Sequence, residues 1–240
     1  MRFLVCLHGA SVVRESLPLH PTDRHAIALG TAAGAELLVL EAVSERGSAP
    51  RAVGQALDAG ALRAVRLVEP VLAAADAHST GYALATAIAH LKVDVVLFGA
   101  DADLQGVPDV PASIAHHMTA LFLTGAVGLK TGDEPSGRLE LVVENSGWLR
   151  RLRIPLNAVI GINPGRGSAT AAPDGTQGSA GANAATPPPA TVQVLTLQDL
   201  RLDPALIRRR SDLRGVVEPA PRPLVTLTSA AAVAGLLRSQ

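Results

Sequence analysis

The chain has 240 residues, 48% of them apolar, enough to bury one sizeable core and at most a small appendage. Lys and Arg balance Asp and Glu at 21 each, so no overall field draws in nucleic acid or an anionic membrane. Three Phe, one Tyr and one Trp are too few for a base-stacking platform, and a lone Cys6 builds no disulfide framework and fits no metal-ligand spacing.

Cys6 lies within an apolar run and is expected as a buried core thiol in a reducing cytoplasm. The opening MRFLVCLHG is too short for a signal peptide, and no apolar run reaches the roughly 18 residues of a membrane span. The expectation is therefore a cytoplasmic protein with no membrane insertion and no nucleic-acid partner.

In chain order, RFLVCL (2–7), ELLVLEAV (36–43), RAVRLV (63–68) and VDVVLFG (93–99) are short apolar runs rich in β-formers and read as strands. Between them DRHAIALGTAAG (23–34), RAVGQALDAG (51–60) and STGYALATAIAHLK (79–92) read as helices. Asp23 and Ser79 are expected as N-caps, with Gly34 and Gly60 where the first two helices stop. Strands buried on both faces lose the polar alternation of a half-exposed sheet, and each unit has the length of a right-handed βαβ crossover. The fold class is α/β, a doubly wound, mostly parallel sheet, with ligands expected beyond the carboxyl ends of strands where the strand order reverses.

After a helix over about 110–120, LFLTGAVGLK, RLELVVEN, WLRRLRIP and LNAVIGIN are joined by turn signals at Gly132-Asp133 and Ser146-Gly147 and predict an antiparallel extension. Residues 164–191 contain no Val, Leu, Ile, Met or aromatic side chain and are expected to form a disordered Gly/Ala/Pro linker. The organisation read from the chain is a nucleotide-binding-type α/β domain over 1–163, the linker over 164–191 and a C-terminal arm over 192–240. The arm, with VQVLTL, a short polar helix around DPALIRRR and a last helix near SAAAVAGLLRS, is too small to fold alone and must pack on the domain or a partner subunit.

Chemistry concentrates in FGADADLQGVPDVPASIA (98–115). Gly99 and Gly106 let backbone approach a ligand, the helix starting near Val110 presents free N–H groups, and Pro111 suits its first turn. In a doubly wound sheet this loop faces the one that follows the first strand. The candidate cofactor-binding residues are Leu7, His8, Gly9, Val43, Gly99, Asp101, Asp103, Gln105, Gly106, Val107 and Asp109, with no catalytic and no metal-binding residue assigned. His8 reads first as a hydrogen-bonded loop histidine. Asp101 and Asp103 read first as a solvated acidic turn, with a cation site as the alternative. His116 and His117 diverge by about 100° on a helix and do not share an ion. Arg208, Arg209 and Arg210, with Arg150, Arg151 and Arg153, are either a solvated face or a surface for an acidic partner or a flavin pyrophosphate.

ALDAGALRAVRLVEP, ATAIAHLKVDVVLFGADAD and VPASIAHHM, together with HPTDRHAIAL (20–29), ENSGWLRRLRIPLNAVIGI (144–162) and LTLQDLRLDPALIRR (195–209), resemble the β subunit of electron transfer flavoproteins. The resemblance covers most of the chain and implies an adenine nucleotide α-hydrolase-like fold. It also implies an electron carrier without its own turnover, paired with an α-like subunit that holds FAD and serving a flavin dehydrogenase. Such a β subunit buries AMP, or FAD in bifurcating members, through an Asn-Gln-Thr-Gly-Gln type loop. The matching positions here are Gln105, Gly106, Val107, Pro108 and Asp109, which lack the Thr hydroxyl and the last Gln amide. Asp109 as an N-cap would take the N–H groups a phosphate needs and repel its charge, so the AMP site is expected to be weakened. His8 and Gly9 stand where the family has a Lys, Thr22 stands where a Phe faces the flavin, and residues 164–191 lack the Leu that anchors a partner-docking loop. The alternatives are a ligand-free structural or regulatory module of nucleotide-binding fold and a stand-alone adenine-nucleotide binder.

Overall fold

The computed structural model describes residues 1–7, 18–44, 51–99, 109–131, 137–145, 147–164 and 191–208. The chain forms two units, Met1–Arg210 and Ser211–Gln240, and the second lies outside the described residues. So do residues 165–190, on which the linker reading falls, and the Gly132-Asp133 turn.

The first half alternates β1 (Arg2–Cys6), α1 (Pro21–Ala32), β2 (Glu36–Val43), α2 (Arg51–Asp58), β3 (Arg63–Val68), α3 (Ala77–Leu91) and β4 (Val95–Gly99). The second half runs α4 (Asp109–Met118), β5 (Leu121–Thr131), β6 (Arg138–Asn145), β7 (Trp148–Pro155), β8 (Ala158–Ile162) and β9 (Thr191–Leu195). All strands join one nine-stranded sheet in the order β7-β6-β5-β8-β4-β1-β2-β3-β9. From β5 to β9 every neighbouring pair is parallel, while β5–β6 and β6–β7 are antiparallel. The α/β class and the doubly wound, mostly parallel sheet with an antiparallel part are therefore present.

Side chains alternate across the strands and build one core on each face of the sheet. Phe3, Val5, Leu37, Val39, Val95, Leu97 and Ile160 pack beside Ala26 and Ile27 of α1 and Val53 of α2. Leu4, Leu38, Leu40, Val65, Val96 and Val159 pack on the other face with Leu84 and Ile88 of α3 and Ile114 of α4. Each such aliphatic side chain, fully removed from water, contributes about 1.5–3 kcal/mol. Burial on both faces explains why these strands read as continuous apolar runs.

Four expectations need correction. His20, not Asp23, caps α1, because Pro21 fixes the first helical residue and places Asp23 within the first turn. Asp76, not Ser79, caps α3, its carboxylate accepting from the Ser79 N–H at 2.8 Å. LNAVIGIN does not extend the antiparallel part: β8 inserts between β5 and β4 and runs parallel to both. The expected helix around DPALIRRR is a single 3-10 turn at Pro204–Leu206 capped by Asp203.

β5 serves both parts of the sheet. It breaks register after Leu123 and again between Ala126 and Gly128, and Gly125 sits at φ +84° where a Cβ would meet the Glu144 carbonyl oxygen at 2.8 Å. A side chain there would be strained by the backbone and blocked by the neighbouring strand.

The described part of the C-terminal arm returns to the far edge of the sheet. β9 pairs in parallel with β3, and Leu195, Leu197, Leu200 and Ile207 enter the core on the α3 face. The Arg63 guanidinium donates to Gln193 Oε1 at 2.7 Å, and the Ser79 hydroxyl donates to the Arg208 carbonyl at 2.6 Å.

Candidate nucleotide-binding site

Strand order reverses between β1 and β4, since β1 leads to β2 and β3 on one side while β4 and β8 lie on the other. The carboxyl ends of these two strands frame the crevice where a doubly wound sheet receives ligands. Cys6 pairs in register with Phe98, which brings Leu7 and Gly99 to the same level at this switch point. Leu7 is buried and its N–H donates to the Leu40 carbonyl at 2.9 Å. Val43 closes β2 and pairs with Val68. Asp109 opens α4. His8, Gly9, Asp101, Asp103, Gln105, Gly106 and Val107 lie outside the described residues.

The first turn of α1 sits directly on the end of β4. A Cβ added to Gly99 would collide with the Thr22 hydroxyl and approach the Thr22 carbonyl carbon at 2.6 Å and the Asp23 nitrogen at 2.7 Å. Gly99 is thus required by helix-to-strand contact. His20 Nδ1 lies 2.7 Å from the Thr22 hydroxyl and accepts weakly from the Thr22 N–H at 3.4 Å.

Asp23 is completely buried in the first turn of α1, where the positive end of the helix favours a carboxylate. Its charge acts on Cys6, which as a residue is only partly covered although its sulfur is desolvated. Burial, and secondarily the Asp23 carboxylate, push the Cys6 thiol from 9.0 up to about 12. The thiol is therefore a poor nucleophile and a poor metal ligand at neutral pH.

A second charged pair lies near the carboxyl ends of β2 and β3. Glu41 and Arg66 face each other in register, with Arg66 Nε donating to Glu41 Oε2 at 3.1 Å and both side chains only 6% exposed. Burial raises the Glu41 carboxyl above its ordinary value, and the Arg66 hydrogen bond and charge offset this in part. Sequence reasoning missed both this pair and Asp23. The available signals were single opposite charges inside the apolar runs ELLVLEAV and RAVRLV, and a Pro at 21 that sets the helix start ahead of Asp23.

On α3 and α4, the His117 ring meets His78 edge-on at 4.7 Å, Tyr82 at 5.0 Å and His116 at 5.2 Å. Among the described residues no group of three or more His, Cys, Asp or Glu is placed to hold a metal. None of the described helices is long and apolar enough to cross a membrane.

Among the described residues, the first turn of α1 carries Asp23 and α4 begins at Asp109, while the rest of the candidate loop, residues 100–108, lies outside the described residues.

Fold and crevice define a doubly wound, mostly parallel α/β protein. A profile of the electron transfer flavoprotein domain matches residues 11–198, and the chain belongs to that family. No curated protein sequence gives a significant match to the chain.

Proposed function

We propose that the chain acts as a β-type subunit of an electron transfer flavoprotein: an electron carrier in a heterodimer with an FAD-bearing α-like subunit, without turnover of its own. The observation that carries this reading is the family match over residues 11–198 on a sheet whose order reverses between β1 and β4. FAD supplies the redox chemistry when bound on the partner. On this reading the chain contributes a rigid wall, its switch point filled from within by α1 and by Asp23 and Cys6. The proposed partners are the α-like subunit and, beyond it, a flavin dehydrogenase in the cytoplasm. Purification of the tagged chain alone and co-expressed with a flavin-bearing α-like subunit tests this, with visible absorbance and released nucleotide as the readouts. The reading expects a colourless chain alone and a yellow complex; absence of any complex would defeat it.

A second reading, a module of the same fold that has lost its ligand, draws support from Asp23 and Asp109 at the two helix starts. It expects no released AMP and no flavin-bearing partner.

A further inference from the structure

We propose that the arm from Thr191 to Arg208 is a separable strap, and that the groove it fills along β3 and α3 takes the same segment from a second copy of this chain. The arm is anchored along its own length. β9 pairs in parallel with β3 from Arg63↔Thr191 to Leu67↔Leu195. Gln193 Oε1 accepts from the Arg63 guanidinium at 2.7 Å, the Leu197 N–H donates to Glu69 Oε1 at 2.7 Å, and the Arg208 carbonyl accepts from the Ser79 hydroxyl at 2.6 Å. Between these anchors Leu195, Leu197, Leu200 and Ile207 enter the same core as Leu67 of β3 and Leu84 of α3. A second copy's arm would find every one of these partners in place.

The arm also builds its own turns. The Asp199 carboxylate accepts from the Thr196 N–H and hydroxyl, both at 2.8 Å, the Leu202 N–H donates to the Leu197 carbonyl at 2.8 Å, and Asp203 caps the turn at Pro204–Leu206. A segment that arrives with its turns made loses less freedom on docking. What joins it to the body is long: residues 165–190 separate Pro164 from Thr191, and none of them is Val, Leu, Ile, Met or aromatic. The end of β8 and the start of β9 lie at opposite ends of the strands and five strand spacings apart, a lateral distance of about 24 Å. A connection of this length reaches up to about 90 Å. It therefore raises the arm's local concentration to the order of millimolar without dictating which copy the arm serves. The chain's own arm fills the groove at ordinary concentrations, and exchange between copies follows when the connection becomes too short to reach.

This inference is independent of the heterodimer reading, and its test uses the full chain without a partner. In one arm of the experiment a specific protease site is inserted between Gly175 and Thr176, the native chain is cut there, and gel filtration reads whether the fragment that begins at Thr176 travels with the body. The fragment is expected to stay bound. Ile207→Ala, which removes a fully buried side chain, should release it at least tenfold faster, and Val194→Ser, at an exposed position of β9, should leave it as in wild type. In the other arm residues 167–188 are deleted from the uncut chain, which leaves four connecting residues with a reach of about 18 Å, less than the lateral distance alone. Light scattering should then find a dimer or a larger closed assembly where the full-length chain is a monomer. A fragment lost on cutting, or one held equally well with Ile207→Ala, would overturn the strap. A deletion variant that stays monomeric would overturn the exchange between copies.

Discussion

Cys6 and Asp23 give the switch point a chemistry that can be read directly. With the thiol pushed up to about 12, alkylation of the native protein at pH 8 should be very slow, because only about one thiol in ten thousand is ionised there. Unfolding in guanidinium should restore ordinary reactivity, which a colorimetric thiol assay follows. A raised folded-state pKa also means that the neutral thiol's contribution is fully present below 9.0 and is lost as pH rises towards about 12. Cys6→Ala should therefore unfold less steeply in alkali than the wild type. Gly99 is equally specific: Gly99→Ala drives a Cβ into the Thr22-Asp23 turn and should cost about 1–3 kcal/mol in urea unfolding. Asp109 opens α4, and changing Asp109→Gln together with Val107→Thr and Pro108→Gly removes a repelling charge and frees donors at that helix start. Calorimetry should show AMP affinity rising at least tenfold, the equivalent of about 1.4 kcal/mol, with adenosine affinity little changed.

Between elements, the Glu41–Arg66 pair joins β2 to β3 inside the sheet. Glu41→Leu leaves a buried guanidinium facing an apolar group and should cost about 3–5 kcal/mol, much of which Arg66→Met should restore in the double variant. The Glu41 carboxyl lies above its ordinary 4.5, so the stability associated with its protonated form is complete below that value and is lost as pH rises through the folded-state value. Denaturation midpoints of wild type relative to Glu41→Gln should accordingly fall over that interval. The arm can be tested at Ile207, which is fully buried: Ile207→Ala should cost about 2–5 kcal/mol although it lies beyond β9, near the end of the described chain. How legible each element was follows from its environment. β1 to β4 were plain because strands covered on both faces have no polar alternation to confuse them. The starts of α1 and α3 were misplaced because Asp23 and Ser79 are favoured caps in isolation, whereas Pro21 and Asp76 set the actual first turns. The direction of β8 was missed because a local apolar pattern carries no record of which strands it will lie between.

For the molecule as a whole, the α/β class and the switch point at the carboxyl end of the sheet followed from alternating runs and crossover lengths. The contents of the switch point did not, because Asp23 and Cys6 come together only when α1 is laid across the end of β4. The described sheet ends at β9 on one side, where Leu195 enters the core and Val192 and Val194 are exposed, and at β7 on the other, where Trp148, Leu149 and three arginines are exposed. The central claim of the proposed function is that electrons reside on a flavin held by a partner subunit and never on this chain. Reductive titration under anaerobic conditions, following visible absorbance, tests it most directly. The account predicts that the isolated chain takes up no electrons and that the co-purified complex bleaches as one flavin per heterodimer. A redox-active chromophore in the isolated chain, or a complex that accepts no electrons, would contradict it.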